Sequence, residues 1–175
     1  RRVAELRERL RRNAGDREAR WELARAYAAL GHTDEAVAEF DALLAWHPDD
    51  IPALLQLGLA EKARGRVEVA EEWFRRAAEQ DPDSPVALFY YGEALYNRGL
   101  NEAALETLRQ AVHRNPDYAD AHYLLAFVLG DMGLHDEARA ATKRAIALNP
   151  TLGRAQANLT IDHPDDGSAP GRQSL

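Results

Sequence analysis

Proline returns at one interval through most of the chain: Pro48, Pro82, Pro116 and Pro150 are 34 residues apart, and Gly31, Gly65, Gly99 and Gly133 keep the same step. Small residues fall in register with them at Ala36, Ala70, Ala104 and Ala138, and again at Ala24, Gly58, Gly92 and Ala126. A period of this length marks a repeat architecture, in which each unit packs on its neighbours and function resides in a shared surface rather than a catalytic cluster.

Within each period the spacing is helical. Leu54, Leu57, Gly58 and Glu61 follow the 3, 4, 7 rhythm of one helix face, and Ala70, Phe74, Ala77 and Ala78 do so after Gly65. Each unit therefore reads as a helix pair. The glycines lie where the first helix stops and the chain reverses, a position that suits a left-handed backbone. Thr33 and Asn101 are expected to cap the second helix, with Asp34, Glu35, Glu102, Asp136 and Glu137 placing negative charge at its positive end. The prolines end that helix, and Asp49, Asp83 and Asp117 follow as turn residues.

Read in units starting at Arg17, Ile51, Pro85 and Ala119, the chain resembles four consecutive tetratricopeptide repeats, whose motif runs W-x2-L-G-x2-Y, then A-x3-F, then P. Leu23, Ala24, Tyr27, Ala36, Phe40 and Pro48 match in the first unit; Leu54, Leu57, Gly58, Ala70, Phe74, Ala77 and Pro82 in the second. The third offers Leu88, Tyr91, Gly92, Leu95, Ala104, Leu108, Ala111 and Pro116, and the fourth Leu125, Ala126, Leu129, Ala138, Ala145 and Pro150. The resemblance implies an all-α fold, a right-handed α-solenoid of antiparallel helix pairs, with repeats at 17–50, 51–84, 85–118 and 119–152. Arg20, His122, Glu61 and Thr142 depart from the motif, and looser packing or partial contact with solvent is expected there.

The two ends extend the array imperfectly. Residues 1–16 read as the terminal helix of a partial preceding repeat, with Val3, Leu6 and Leu10 on one side and the Asn13-Ala14-Gly15-Asp16 turn behind it. That helix would be the second of a pair whose first is missing, and Arg1 reads as an artificial or processing boundary. Residues 153–162 restart a first helix, with Ala155 and Leu159 in register, and are expected to cap the last pair. Residues 163–175, rich in Pro, Gly, Ser and Asp, read as a flexible tail.

Composition narrows the function. A chain of 175 residues with 46% hydrophobic content can bury a core, though an elongated one. No apolar run is long enough to span a bilayer and no signal-peptide pattern is present, so a cytoplasmic location is expected, with an anchored or exported longer form left open. Zero cysteines exclude disulfides, thiol catalysis and cysteine-ligated zinc. The formal charge of −7 and dispersed basic residues oppose nucleic-acid binding; the one basic run, Arg1, Arg2, Arg7, Arg9, Arg11 and Arg12, reads as a solvated helix face. No phosphate-cradling glycine loop, His-Glu-x-x-His or Gly-x-Ser-x-Gly motif appears. His32, His47 and His135 read as turn residues, and His163 with Asp162, Asp165 and Asp166 as a solvated acidic tail rather than a cation site. No catalytic residue, cofactor or metal is expected.

In tetratricopeptide proteins the first helices line a concave groove. Carried onto this sequence, the groove columns give Trp21 and Arg25; Leu55, Leu59 and Lys62; Phe89, Tyr90, Glu93, Tyr96 and Asn97; Tyr123 and Phe127, with Glu22, Gln56, Asp120, Leu124 and Asp131 beside them. The expected surface is aromatic at its centre, with Arg25 and Lys62 toward one end and Glu93, Asp120 and Asp131 toward the other. Phe89, Tyr123 and Phe127 could instead fill seams between helices; Tyr90, Tyr96, Asn97 and Lys62 have the better claim to a ligand, since their polar ends suit a dry seam poorly. Relatives that clamp acidic chaperone C-termini use Lys, Asn and Arg at fixed groove positions. Here those positions hold Trp21, Arg25, Gln56, Val86 and Tyr90, or one unit later Leu55, Leu59, Tyr90, Asp120 and Leu124, so no carboxylate clamp forms.

The expected function is a non-enzymatic scaffold that holds a peptide or helix of a partner protein by apolar anchors. A docking or regulatory region of a larger enzyme, and a self-assembly module forming a homo-oligomer, are the alternatives.

Overall fold

The computed structural model describes residues 1–154. Among these residues the chain is helical throughout, with no strands, and runs α1 (Arg2–Arg12), α2 (Arg17–Ala29), α3 (Thr33–Trp46), α4 (Ile51–Ala63), α5 (Val67–Gln80), α6 (Pro85–Asn97), α7 (Asn101–Arg114), α8 (Ala119–Asp131) and α9 (His135–Leu148). Two compact units divide it, Arg1–Pro116 and Asp117–Leu175. In the first, α2–α3, α4–α5 and α6–α7 are antiparallel pairs, with α1 packed on α2 and each later pair laid on the one before; in the second, α8 and α9 form the pair. This is the all-α, solenoid type of packing that the period implies.

The reversals inside each pair share one geometry. Gly31, Gly65 and Gly99 have φ of 76° and Gly133 has 77°, and no atom lies within 4 Å of where a side chain would begin. Glycine is needed there for its backbone and not for space. The His32 amide donates to the Tyr27 carbonyl at 2.9 Å and the Gly31 amide to Ala28 at 3.1 Å, so the last carbonyls of α2 are satisfied within the turn.

The starts of α2, α4 and α6 are each capped by the side chain just before them, whereas Tyr118 before α8 makes no such bond. Asp16, Asp50 and Ser84 accept from the amides of Ala19, Ala53 and Ala87 at 2.9, 3.1 and 3.2 Å. Caps of this kind contribute about 1 kcal/mol each. The second helices lack them: His32, Arg66, Leu100 and Leu134 stand at the N-cap without a side-chain bond. Thr33 and Asn101 are the first residues inside α3 and α7, not their caps, because after the left-handed glycine the helix begins one residue earlier than the polar side chains suggest.

Small columns hold the pairs together. A methyl at Gly58 would lie 2.3 Å from the ring of Phe74, and one at Gly92 2.8 Å from Leu108. Phe40, Phe74 and Leu108 are themselves sealed in the first unit, with Leu6, Leu23, Leu54 and Leu57 around them. Glu61, expected to be loosely packed, is buried: Arg64 donates to one carboxylate oxygen at 2.9 Å and Arg66 to the other at 3.3 Å, while Arg64 also holds Asp34. Paired on both oxygens, this carboxylate needs no water. Arg20 is half-buried and likewise paired, donating to Glu39 at 2.8 Å and to the Ala14 carbonyl at 3.0 Å.

In α1, Leu6 is buried while Val3 and Leu10 are half-buried. Its arginines tie it to α2 and the turn before it: Arg2 pairs with Glu22 and Arg9 bonds Asp16 at 3.0 Å. Residues 151–154 are helical; the rest of the expected capping helix at 153–162, the tail at 163–175 and His163 with its neighbouring acids lie outside the described residues.

Candidate functional site: the faces of the first helices

The first unit presents its face on α2, α4 and α6. Trp21 is half-buried with its ring edge against Phe40, centroids 5.4 Å apart, and Arg25 four residues on is exposed. Leu55 and Leu59 are half-exposed on α4, and Lys62 follows at its end. On α6, Tyr96 is half-exposed and Asn97 exposed. Val86, named above only for a clamp position and not among the expected groove residues, is 42% exposed.

Four of the expected groove residues are placed differently. Phe89 is buried, packed edge-on against Tyr90 at 5.3 Å, so it supports the face rather than lining it. The Tyr90 ring lies nearly parallel to Phe74 of the preceding pair, 5.3 Å away at 15°, filling the seam that its hydroxyl had seemed to disfavour. Lys62 and Glu93 do not mark opposite ends of the surface: they form an ion pair with each other and cancel locally. With Asn97 they border a small cleft floored by Ala70 and Phe74.

The second unit has its own face on α8. Tyr123 is half-buried and meets Phe127 edge-to-face, centroids 5.0 Å apart and rings at 87°, while Phe127 is 44% exposed. The two rings wall a pocket completed by Ala126, Gly130, Asp131 and Thr142. Its depth follows from the sequence. Thr142 occupies the column that Phe40, Phe74 and Leu108 fill, and its hydroxyl is tied to the Ala138 carbonyl at 2.9 Å. The lost bulk leaves room beside α8.

Two surfaces lay outside the sequence reading. Trp46, at the end of α3, is 61% exposed. On α5 the Arg76 guanidinium stands 5.0 Å over the Trp73 ring, beside an exposed Val69. Both are at positions with no counterpart in the neighbouring periods, so the repeat pattern could not signal them.

The polar chemistry of these faces is that of pairing. Asp16 is held below the usual carboxylate range, first by the Ala19 amide and then by Arg9, against the opposing effect of desolvation. Tyr91 is pushed up by burial and then by the charge of Glu71. Among the described residues no group of three His, Cys, Asp or Glu could hold a metal ion, and no helix is long and apolar enough to cross a membrane.

The family model for the tetratricopeptide repeat matches residues 3–51 and 22–85, and the model for anaphase-promoting complex, cyclosome, subunit 3 matches residues 63–145. No curated protein matches the chain in sequence. Among solved structures, one of MamA protein is 27% identical with a TM-score of 0.72, over 83% of this chain and 79% of that one. A second, of MamA AMB-1, is 27% identical with a TM-score of 0.69, over 85% and 81%. MamA from Desulfovibrio magneticus RS-1, at 22% identity, shares the fold with a TM-score of 0.73 over 85% and 84%. Repeats of this kind typically serve as non-catalytic protein-interaction scaffolds. With the 34-residue period, the left-handed glycine turns and the paired helices, these matches support assignment of the chain to the tetratricopeptide repeat family.

Proposed function

We propose that the chain is a non-catalytic scaffold that holds a peptide or helix of a partner protein against the faces of its first helices. The observation that carries this reading is Phe127, an aromatic side chain left 44% exposed at the rim of a pocket, in a column whose side chains point away from the core. Large apolar groups kept in water are costly, and such groups dominate interface energies when a partner covers them. Leu55, Leu59, Tyr96 and Val86 supply further apolar surface in the first unit, with Arg25 as an exposed cation. Because Lys62 and Glu93 are paired, recognition rests on apolar anchors more than on charge.

The test is affinity capture from the source cell with the intact chain and with Phe127→Ala and Tyr96→Ala, the captured protein then being titrated against each form. Both variants lose binding at least about tenfold while Val69→Ala, on α5, keeps it. Equal binding by all three would sink the assignment.

A further inference from the structure

The pocket on α8 is open for a reason that packing does not supply. Gly58 and Gly92 lie inside helices because Phe74 and Leu108 leave no room for a methyl. Gly130, near the end of α8, is under no such constraint: its backbone is not left-handed, and no atom of the described residues stands within 4 Å of where its side chain would begin. A glycine inside a helix costs stability, and here the return is space. The same column holds Ala28, Lys62 and Tyr96 in the earlier periods. With Thr142 standing where the other second helices carry Phe40, Phe74 and Leu108, a hollow of about 200 Å³ remains.

Its walls combine rings and a charge. Tyr123, Phe127 and Asp131 follow one another at four-residue steps along one face of α8. The two rings stand at 87°, so a group entering the angle between them meets a face of each, where the ring quadrupole is negative. Among the described residues that line the pocket, Asp131 alone carries a charge. The helix holds a second exposed carboxylate, Asp120, and neither lysine nor arginine. Of the cations on α9, Arg139 pairs with Asp136 and Arg144 with Asp117 at 2.9 Å, while Lys143 borders a neighbouring hollow that shares Thr142.

The chain's own rings show which cation such walls take. The Arg76 guanidinium lies 5.0 Å from the centre of the Trp73 ring, and that of Arg7 lies 5.7 Å from the centre of Tyr27. A planar guanidinium can rest on a ring while its edge donates two hydrogen bonds to a carboxylate, whereas an ammonium acts as a point charge. We propose that the pocket between Tyr123 and Phe127 seats an arginine side chain of the partner peptide, its flat face on the rings and its N–H groups on Asp131. This rests on the faces of the first helices being the binding surface, and adds one cation to the apolar anchors named there.

The probe is a blocked tripeptide with arginine between two glycines, compared with the same peptide carrying citrulline, which has the shape without the charge, or norleucine, which is apolar. Each is titrated into the full chain while the amide and ring protons of α8 are followed by NMR. The arginine peptide should bind about tenfold tighter than the citrulline one, with the advantage narrowing at high salt. Asp131→Asn and Phe127→Leu, both at exposed positions, should each cut that ratio to about two. Gly130→Leu, which fills the hollow from α8, should abolish the shifts with the circular dichroism unchanged. Tightest binding by the norleucine peptide, equal binding of the arginine and citrulline peptides, or no shift in α8 with any of them would each overturn the proposal. The two readings fail separately: a captured partner that binds Phe127→Ala weakly but Asp131→Asn as well as the native chain leaves the scaffold standing and overturns the arginine seat.

Discussion

Gly58→Ala tests the close packing of the second pair. The added methyl would stand 2.3, 2.6 and 2.7 Å from three atoms of the Phe74 ring, which is only 1% exposed and stacked on Tyr90. The first pair shows the way out: Ala24 sits in this column opposite Phe40, whose ring instead meets Trp21 at 65°. Phe74 has no such ring to turn to, since Leu55 stands where Trp21 does, and any turn gives up its stack on Tyr90. Overpacking at about 1–3 kcal/mol and a lost stack at about 0.5–1.5, less the roughly 0.5–1 that alanine contributes to a helix, leave a net loss of about 2 kcal/mol. For a chain of this size that lowers the melting midpoint by about 4–8 °C. Urea denaturation followed by circular dichroism and by tryptophan fluorescence measures it. Gly92→Ala meets the flexible Leu108 at 2.8 Å and should lose less, about 1 kcal/mol. A Gly58→Ala protein as stable as the native one, or the reverse order of the two variants, would refute the reasoning.

Gly65→Ala places a side chain at φ 76° in open space, so it should cost about 1–2 kcal/mol from backbone strain alone, read from the same urea curves. Asp50, whose side chain is 1% exposed, accepts from Ala53 at 3.1 Å and from Arg17 at 2.8 Å; Asp50→Ala should cost about 2 kcal/mol, and Ser84→Ala, which removes a cap alone, about 1. Asp41 is held above the usual carboxylate range by desolvation and then by the charge of Glu61. Its native state therefore binds a proton more readily than its unfolded state, and its contribution to stability falls as pH rises through and above that range. Asp41→Asn should raise the melting midpoint at neutral pH, with a gain that vanishes below about pH 4, where both states are protonated; a gain that grows on acidification would contradict the sign.

The helix pairs, their boundaries and the turn glycines were legible because each depends on one residue type at one interval. The site was legible only by column. Phe89 and Tyr90 are neighbours, and a step of about 100° around the helix sends one into the core and the other into a seam. Composition cannot choose between two adjacent aromatics. Lys62 and Glu93 lie 31 residues apart, near one period, and that offset was available as a signal; so was the 30-residue offset of Asp34 and Arg64. Both pairs were hidden because ordinary helix-surface reasoning looks three or four residues away. Glu61 shows the limit in part: Arg64, three residues on, lay within that reach, while Arg66, its second partner, stands after the turn glycine.

The Lys62–Glu93 pair has a kinetic consequence for anything that lands on this part of α6. Opposite charges this close present a small dipole whose field decays faster than that of either ion, so an approaching ligand is neither drawn in nor turned by it. The pair itself therefore adds neither steering nor salt dependence to association, and contacts made at this spot act through residence time.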